Sequence, residues 1–316
     1  MATPAERDEQ GVHVTLEELT RLQFLARDFS FLPRQPVHSL LSGRHASRVR
    51  GRGLDFEELR GYLPGDDPRT IDWKVTARTG TPHVRVYTEE RDRPALIIVD
   101  QRMSMFFGSV RNMKSVTAAR VAAASAWRVT GAGDRVGALV FNDTAVEEVT
   151  PHRSSQTVLR ILHALVDQNR ALDASNAGSN AAMLNEVLRA ATRIVKHDFL
   201  VAIISDFDGA DDETTSLVSR MARHNDVLAI PVLDPASQEM PTDGRLVVSD
   251  GELQVEIDLA KGATRERLQE QARGRLAGVL AWQQKIGVPV LPISTAEDEL
   301  EQVRRLLGRA TSGGGR

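Results

Sequence analysis

An α/β fold, with a mostly parallel sheet flanked by helices, is predicted by three features of this 316-residue chain. From residue 91 onward, short apolar runs alternate with amphipathic helical stretches, as in sheets whose strands are joined by helical crossovers. The runs are apolar throughout, where a half-exposed strand would alternate. Their carboxyl ends carry acidic and hydroxyl residues, at the place where open α/β sheets hold ligands. This domain is expected to span residues 91–310, after a smaller helical and extended region at 1–90 and before a Gly-rich tail at 311–316.

The first element is an amphipathic helix, Thr15–Phe29. Thr15 and Glu18 fit a capping box, and Leu16, Leu19, Leu22 and Ala26 recur at helical spacing. Pro33 and Pro36 end the pattern. Arg44, Arg48, Arg50 and Arg52 follow, balanced downstream by Asp55, Glu57 and Glu58. No aromatic residue is interleaved with the arginines to stack on bases, so no nucleic-acid partner is expected. A net charge of −3 adds no global drive toward polyanions.

Within the α/β region, Leu96–Val99 is a buried strand and Lys114–Val129 an Ala-rich helix. Val136–Phe141 is a second buried strand, and Ala145–Val149 alternates like an antiparallel edge. Helices are expected near Ser155–Asp167 and Asn180–Val195, then the strand Phe199–Ile204, the helix Glu213–His224 and the strand Val227–Val232. An insertion at residues 235–258 has hairpin character, with Leu246–Val248 and Leu253–Ile257 around the tight-turn pair Asp250-Gly251. A long helix, Thr264–Lys285, exits at Gly287. Val288–Ile293 is the last strand and Glu297–Leu307 the last helix.

Composition narrows the chemistry. Hydrophobic residues at 41% and charged residues at 26% are ordinary for a folded domain. The chain has no cysteine, which removes disulfides, thiolate metal sites and cysteine nucleophiles. Met1–Gly11 does not resemble a secretory leader, and no apolar run is long enough to cross a bilayer. The expected location is cytoplasmic, without a membrane span.

Three strand ends offer oxygen ligands. Asp100 closes the first strand and is followed by Ser104. Ser179 lies in Ala177-Gly178-Ser179-Asn180, before a helix. Asp206 closes the strand ending Ile203-Ile204-Ser205. Converging carboxylates and hydroxyls would suit Mg²⁺, a hard cation. Equally, Asp100 and Asp206 are placed to bond loop N–H groups at strand-to-helix turns.

The loop order resembles the metal-ion-dependent adhesion site of von Willebrand A domains, whose first loop reads Asp-x-Ser-x-Ser. That resemblance implies a von Willebrand A-like, Rossmann-like fold, with Ser179 in place of a threonine. In Asp100-Gln101-Arg102-Met103-Ser104, however, Arg102 stands where the middle serine belongs. A guanidinium has no lone pair for a metal. Its charge about 4 Å from another unit charge near a protein surface means roughly 4 kcal/mol of repulsion. Arg102 is expected to pair with Asp100 or Asp206 and replace the ion, leaving no cofactor. Were it to turn outward, three or four ligands would remain for Mg²⁺. Arg102 and Asp208 belong to the loop face in either case.

The most specific string lies upstream: Gly51-x-Gly53-x-Asp55-Phe56-Glu57-Glu58-Leu59-Arg60, then Tyr62-x-Pro64-Gly65-Asp66-Asp67-x-Arg69-x-Ile71-Asp72-Trp73, then Ala77-Arg78. Pro64-Gly65 suits a turn, and Asp67 is placed to cap a helix that begins at Pro68. Ile71 and Val75 share a face, and Arg78 sits in the final turn. Buried pairs among Asp66, Asp72, Arg69 and Arg78 are expected to fix this region onto the sheet domain. The string strongly resembles a bacterial and archaeal family, domain of unknown function fifty-eight. The resemblance implies a von Willebrand A-like domain joined to the string. It also implies association with MoxR-type AAA+ ATPases, in chaperone-like maturation or stress response. Many such relatives carry membrane helices ahead of the string; none is expected here.

The function predicted is therefore a non-catalytic adaptor, not an enzyme. The histidines show no His-Glu-x-x-His spacing, and no Walker motif is present. Gly131-Ala132-Gly133 precedes a strand where a dinucleotide fingerprint would follow one, and reads as a helix exit. The alternative is an Mg²⁺-dependent, haloacid-dehalogenase-like phosphatase. In that reading Asp206-Phe207-Asp208-Gly209 supplies the nucleophile Asp206 and the acid–base partner Asp208. Ala210 in place of a hydroxyl, and a strand that is not the first of its domain, speak against it.

Overall fold

The computed structural model describes residues 11–26, 54–89, 93–173, 179–238, 245–249, 254–258 and 273–310. The basic stretch Arg44–Arg52, the hairpin turn Asp250-Gly251 and the tail 311–316 lie outside them. The chain forms two compact units, one of residues 36–92 and one of residues 1–35 with 93–316. The first helix therefore belongs to the larger unit. That helix, α1 (Leu16–Leu25), starts at Thr15, whose side chain accepts from the Glu18 N–H. The Glu18 carboxylate does not close a capping box; it pairs with Arg120. Leu19 and Leu22 are buried in the large core, which is what draws α1 into this unit.

The small unit is a two-stranded antiparallel ribbon, β1 (Leu54–Gly61) and β2 (His83–Glu89), enclosing a short helix, α2 (Trp73–Thr79). Asp55 lies in β1, opposite Thr88. Asp67 caps a single 3-10 turn, Pro68–Thr70, through the Arg69 N–H. Asp72 caps α2 through the N–H groups of Lys74 and Val75, and Gly80 ends it in the left-handed conformation.

The larger unit contains β3 (Ala95–Asp100), α3 (Lys114–Gly131), β4 (Val136–Phe141), β5 (Val146–His152) and α4 (Ser155–Arg170). Then follow α5 (Met183–Ile194), β6 (Leu200–Ser205), α6 (Asp212–Ala222) and β7 (Asp226–Leu233). The antiparallel pair β8 (Arg245–Ser249) and β9 (Gln254–Asp258) forms the expected hairpin strands. Residues 273–280 and 282–285 are helical, and the chain ends with β10 (Ile293–Ser294) and α7 (Glu299–Ala310).

Six strands form one sheet in the order β10-β7-β6-β3-β4-β5. All neighbours are parallel except β5, which runs antiparallel to β4 at the edge. The strands β3, β4 and β6 are buried at every position, as their unbroken apolar runs require. Alternate residues feed two cores. Ile97, Val99, Ala202 and Ile204 pack with α1, α3 and α4 on one face. Leu96, Ile98, Val201 and Ile203 pack with α5, α6, Val279 and Trp282 on the other. This is the predicted α/β arrangement, a mostly parallel sheet with both faces covered.

The last strand is shorter than expected. Val290 makes only an isolated bridge to Ala229, and regular pairing begins at Ile293. Pro289 and Pro292 lack the N–H that a continuous ladder needs. Among the described residues, no helix is long and apolar enough to cross a membrane.

Candidate functional site

The parallel register brings the carboxyl ends of β3 and β6 side by side, so that Asp100 and the Ser205-Asp206 pair meet at the top of the sheet. Asp100, Arg102, Ser205, Asp206 and Lys114 are all buried there, and Arg102 is fully enclosed. Charged groups so placed are costly to bury unless they pair and bond fully.

Arg102 turns inward. Its Nε lies 3.0 Å from Asp100 Oδ1 and its Nη2 2.7 Å from Asp100 Oδ2. Nη2 also donates to the Asp208 carbonyl at 3.0 Å, and Nη1 to the carbonyls of Asn180 and Ala181, both at 3.3 Å. These contacts use the whole donor fork of the guanidinium. Its Cζ stands 5.5 Å from the centroid of the Phe141 ring. Asp100 is equally saturated: Oδ1 accepts from the Arg102 backbone N–H at 3.0 Å, and Oδ2 from Ser205 Oγ at 2.6 Å.

Asp206 has its own cation. Lys114, in the first turn of α3, places Nζ 2.6 Å from Asp206 Oδ2. Oδ1 accepts from the Asp208 N–H at 3.0 Å and from Ser104 Oγ at 3.3 Å, with Arg102 Nη2 at 4.0 Å. Burial raises the Asp206 pKa, but Lys114 and Arg102 outweigh it and hold the carboxyl at about 2. Burial pushes the Asp100 pKa up, opposed by Arg102. The Arg102 pKa is raised: burial acts against its charge, and Asp100 overcomes that.

The loops that deliver these groups interlock. Asp143, after β4, accepts from the Met103 N–H at 2.6 Å and the Asn180 N–H at 2.7 Å, joining the first and third loops. Gly209 has a φ of +78°, and a Cβ there would lie 2.6 Å from Ala181 Cβ. Only glycine lets the loop after β6 approach the 180–181 backbone so closely. Phe207 also takes a positive φ, 57°, unusual for a bulky residue. Its buried ring meets Trp282 edge-on, with centroids 5.4 Å apart. That anchor offsets the backbone strain and turns the Asp208 carbonyl toward Arg102.

The predicted Asp100, Ser104 and Asp206 are thus brought together with Arg102. Ser179 is exposed, and its hydroxyl is replaced in the site by the carbonyls of the next two residues. Lys114 and Asp143 were missed by sequence reasoning. A lysine at the start of an Ala-rich helix reads as solvated, and Asp143 reads as a turn residue. The signal available was their place in loops at the same end of the sheet as Asp100.

The donor set does not fit a divalent ion. The lone pairs of Asp100 face N–H and O–H donors, and Asp206 is bound by an ammonium. Among the described residues, no cluster of three or more His, Asp or Glu side chains could hold a metal. The two carboxylates of the phosphatase reading are both ion-paired, Asp206 with Lys114 and Asp208 with Arg275 at 2.5 Å. Beside the pair, a cleft of about 300 Å³ opens between the end of β7 and the 273–280 helix, with Lys114 and Asp206 in its wall.

Among the described residues of the small unit, no ion pair joins Asp66 or Asp72 to Arg69 or Arg78. Asp66 pairs with Arg60 at 2.7 Å, and the two are 21% and 37% exposed. That guanidinium and the Leu63 N–H hold the Asp66 pKa down at about 2. Arg69 and Arg78 are exposed, as is Trp73 at 69%.

The family model for proteins of unknown function DUF58 matches residues 58–277. An uncharacterized protein of Mycobacterium tuberculosis is 32% identical over 294 residues, covering 93% of this chain and 91% of its own length. An uncharacterized protein of Mycobacterium bovis matches to the same extent, 32% over 294 residues with the same coverage. Among solved structures, the chain is similar to the conserved hypothetical protein BatB of Bacteroides thetaiotaomicron. That likeness has a TM-score of 0.41 at 13% identity and covers 70% of this chain and 100% of the other. The von Willebrand A domain of SpRpn10 gives a TM-score of 0.35 at 11% identity, over 67% of this chain and 93% of the other.

Proposed function

Because the chain belongs to the DUF58 family, we propose that it is a non-catalytic interaction protein that presents the carboxyl-end face of its sheet to a protein partner. One observation carries this reading: the two buried carboxylates at the centre of that face, Asp100 and Asp206, are paired with the chain's own cations, Arg102 and Lys114. What the face offers is a shaped, interlocked rim. Its exposed positions include Val110 after β3, Thr144 after β4, and Ser179 and Ala182 before α5. Loops on a rigid scaffold are where binding residues concentrate.

The partner we infer is a MoxR-type AAA+ ATPase, acting in the cytoplasm in chaperone-like maturation or stress response. The likeness of the Gly51–Arg78 string to its family supports this partner. Any nucleotide hydrolysis then belongs to the ATPase.

Co-purification of the full chain with a MoxR-type ATPase from the same genome tests this reading. Val110→Asp and Ala182→Arg alter the rim without touching the charge cluster, and each is expected to reduce retention of the ATPase at least tenfold. Undiminished retention in both variants would show that the face is not the working surface. Turnover of a generic phosphate ester by the purified chain, abolished by Asp206→Asn, would overturn the non-catalytic reading.

A further inference from the structure

We infer that Arg102 and Lys114 are resident counter-ions that together take the place of a divalent cation, so that the loop face holds its shape with no metal bound. The charge balance is local. Two buried carboxylates, Asp100 and Asp206, face one guanidinium and one ammonium at 2.7 and 2.6 Å. A single divalent ion would supply the same compensation. The bonding also matches what an ion would do. Arg102 gathers the ends of three loops, through Asp100, the Asn180 and Ala181 carbonyls and the Asp208 carbonyl. Ser104, the remaining hydroxyl of the first loop, bonds Asp206. An organising centre that belongs to the chain cannot be lost to chelation or exchange, and it forms when the chain folds.

The converse is that removing the guanidinium opens a cation site. Arg102→Ser leaves Asp100, Ser104 and Asp206 around the vacated volume and adds a neutral hydroxyl at its edge. Lys114 still holds one Asp206 oxygen, so Arg102→Ser/Lys114→Met should take up a divalent ion more tightly than Arg102→Ser alone. This inference does not depend on the partner reading, since no partner enters its test.

The test is thermal unfolding of the full chain in EDTA and in rising Mg²⁺, with Tb³⁺ luminescence as a second probe. The wild type is expected to keep one midpoint throughout and to show no saturable Tb³⁺ signal. Arg102→Ser is expected to melt several degrees lower in EDTA and to recover with Mg²⁺, because a ligand bound only to the native state raises its midpoint. A wild-type midpoint that rises with Mg²⁺ and loses that rise in Ser104→Ala would overturn the inference. So would an Arg102→Ser protein that folds yet gains nothing from Mg²⁺. If Arg102→Ser does not fold, the wild-type titration decides alone.

Discussion

Two arginine–aspartate pairs, one in each unit of this protein, are both bidentate and differ in surroundings. Arg60 and Asp66 meet fork to fork at 2.7 and 2.8 Å in the small unit, partly open to solvent. Arg102 and Asp100 meet at 2.7 and 3.0 Å with no exposure at all. Solvent screens the first pair, and exposed pairs contribute about 0–1 kcal/mol. The second carries a desolvation cost that only complete bonding offsets, so the loss of one member is far more serious than the pair's net worth. Identical chemistry is thus a local brace in one place and an organising centre in the other.

Substitutions should separate the two regions clearly. Arg102→Ala leaves Asp100 buried and without its cation, and is expected to cost about 3–5 kcal/mol in denaturant unfolding. Lys114→Met should cost less, about 2–3 kcal/mol, because Asp206 keeps Ser104, the Asp208 N–H and the nearby guanidinium. A loss below about 1 kcal/mol for either variant would mean that the cluster is no more demanding than a surface pair.

Acid should act on both regions, in a defined window. Asp206 is held at about 2 against an ordinary 3.8, so its stabilisation is present above 3.8 and is lost as pH falls toward 2. The contribution is of the order of 2 kcal/mol. Asp100, raised by burial, acts in the opposite sense and takes back part of that loss. Asp66, also at about 2, follows Asp206 in the small unit. Urea unfolding of Asp206→Asn across this range should show a flatter pH dependence than the wild type; an unchanged slope would contradict the assignment.

The smaller effects belong to the small unit. Asp72→Ala removes the cap of α2 and is expected to cost about 1 kcal/mol. Arg60→Ala should cost no more than about 1 kcal/mol, and less in high salt. Measured losses at Arg60 as large as those at Arg102 would erase the distinction between the regions.

Much of the fold was legible because its signals are local. Leu96–Val99, Val136–Phe141 and Phe199–Ile204 are unbroken apolar runs, and burial on both faces of a parallel sheet is the direct consequence. The hairpin strands, and the caps at Thr15 and Asp67, were readable for the same reason; the cap at Asp72 was not read. The site was legible in part. Asp100, Ser104 and Asp206 stand at strand ends, and strand adjacency brings them together; the pairing of Arg102 with Asp100 follows from two residues of separation. Ser179 failed because the third loop contributes carbonyls, which no residue type announces. Lys114 and Asp143 were hidden because their partners lie 92 residues away, for Lys114, and 40 and 37 residues away, for Asp143. Asp72 is buried, but as the cap of α2, and Asp66 pairs with Arg60, because these nearer partners lie within a few residues along the chain.

A crystal structure of the wild-type chain grown in excess Mn²⁺, with anomalous data collected at the manganese edge, tests the central claim most directly. The account predicts no anomalous peak between Asp100, Ser104 and Asp206, and the Arg102 guanidinium bonded to Asp100 in its place. A manganese peak there, with Arg102 turned out to solvent, would contradict it.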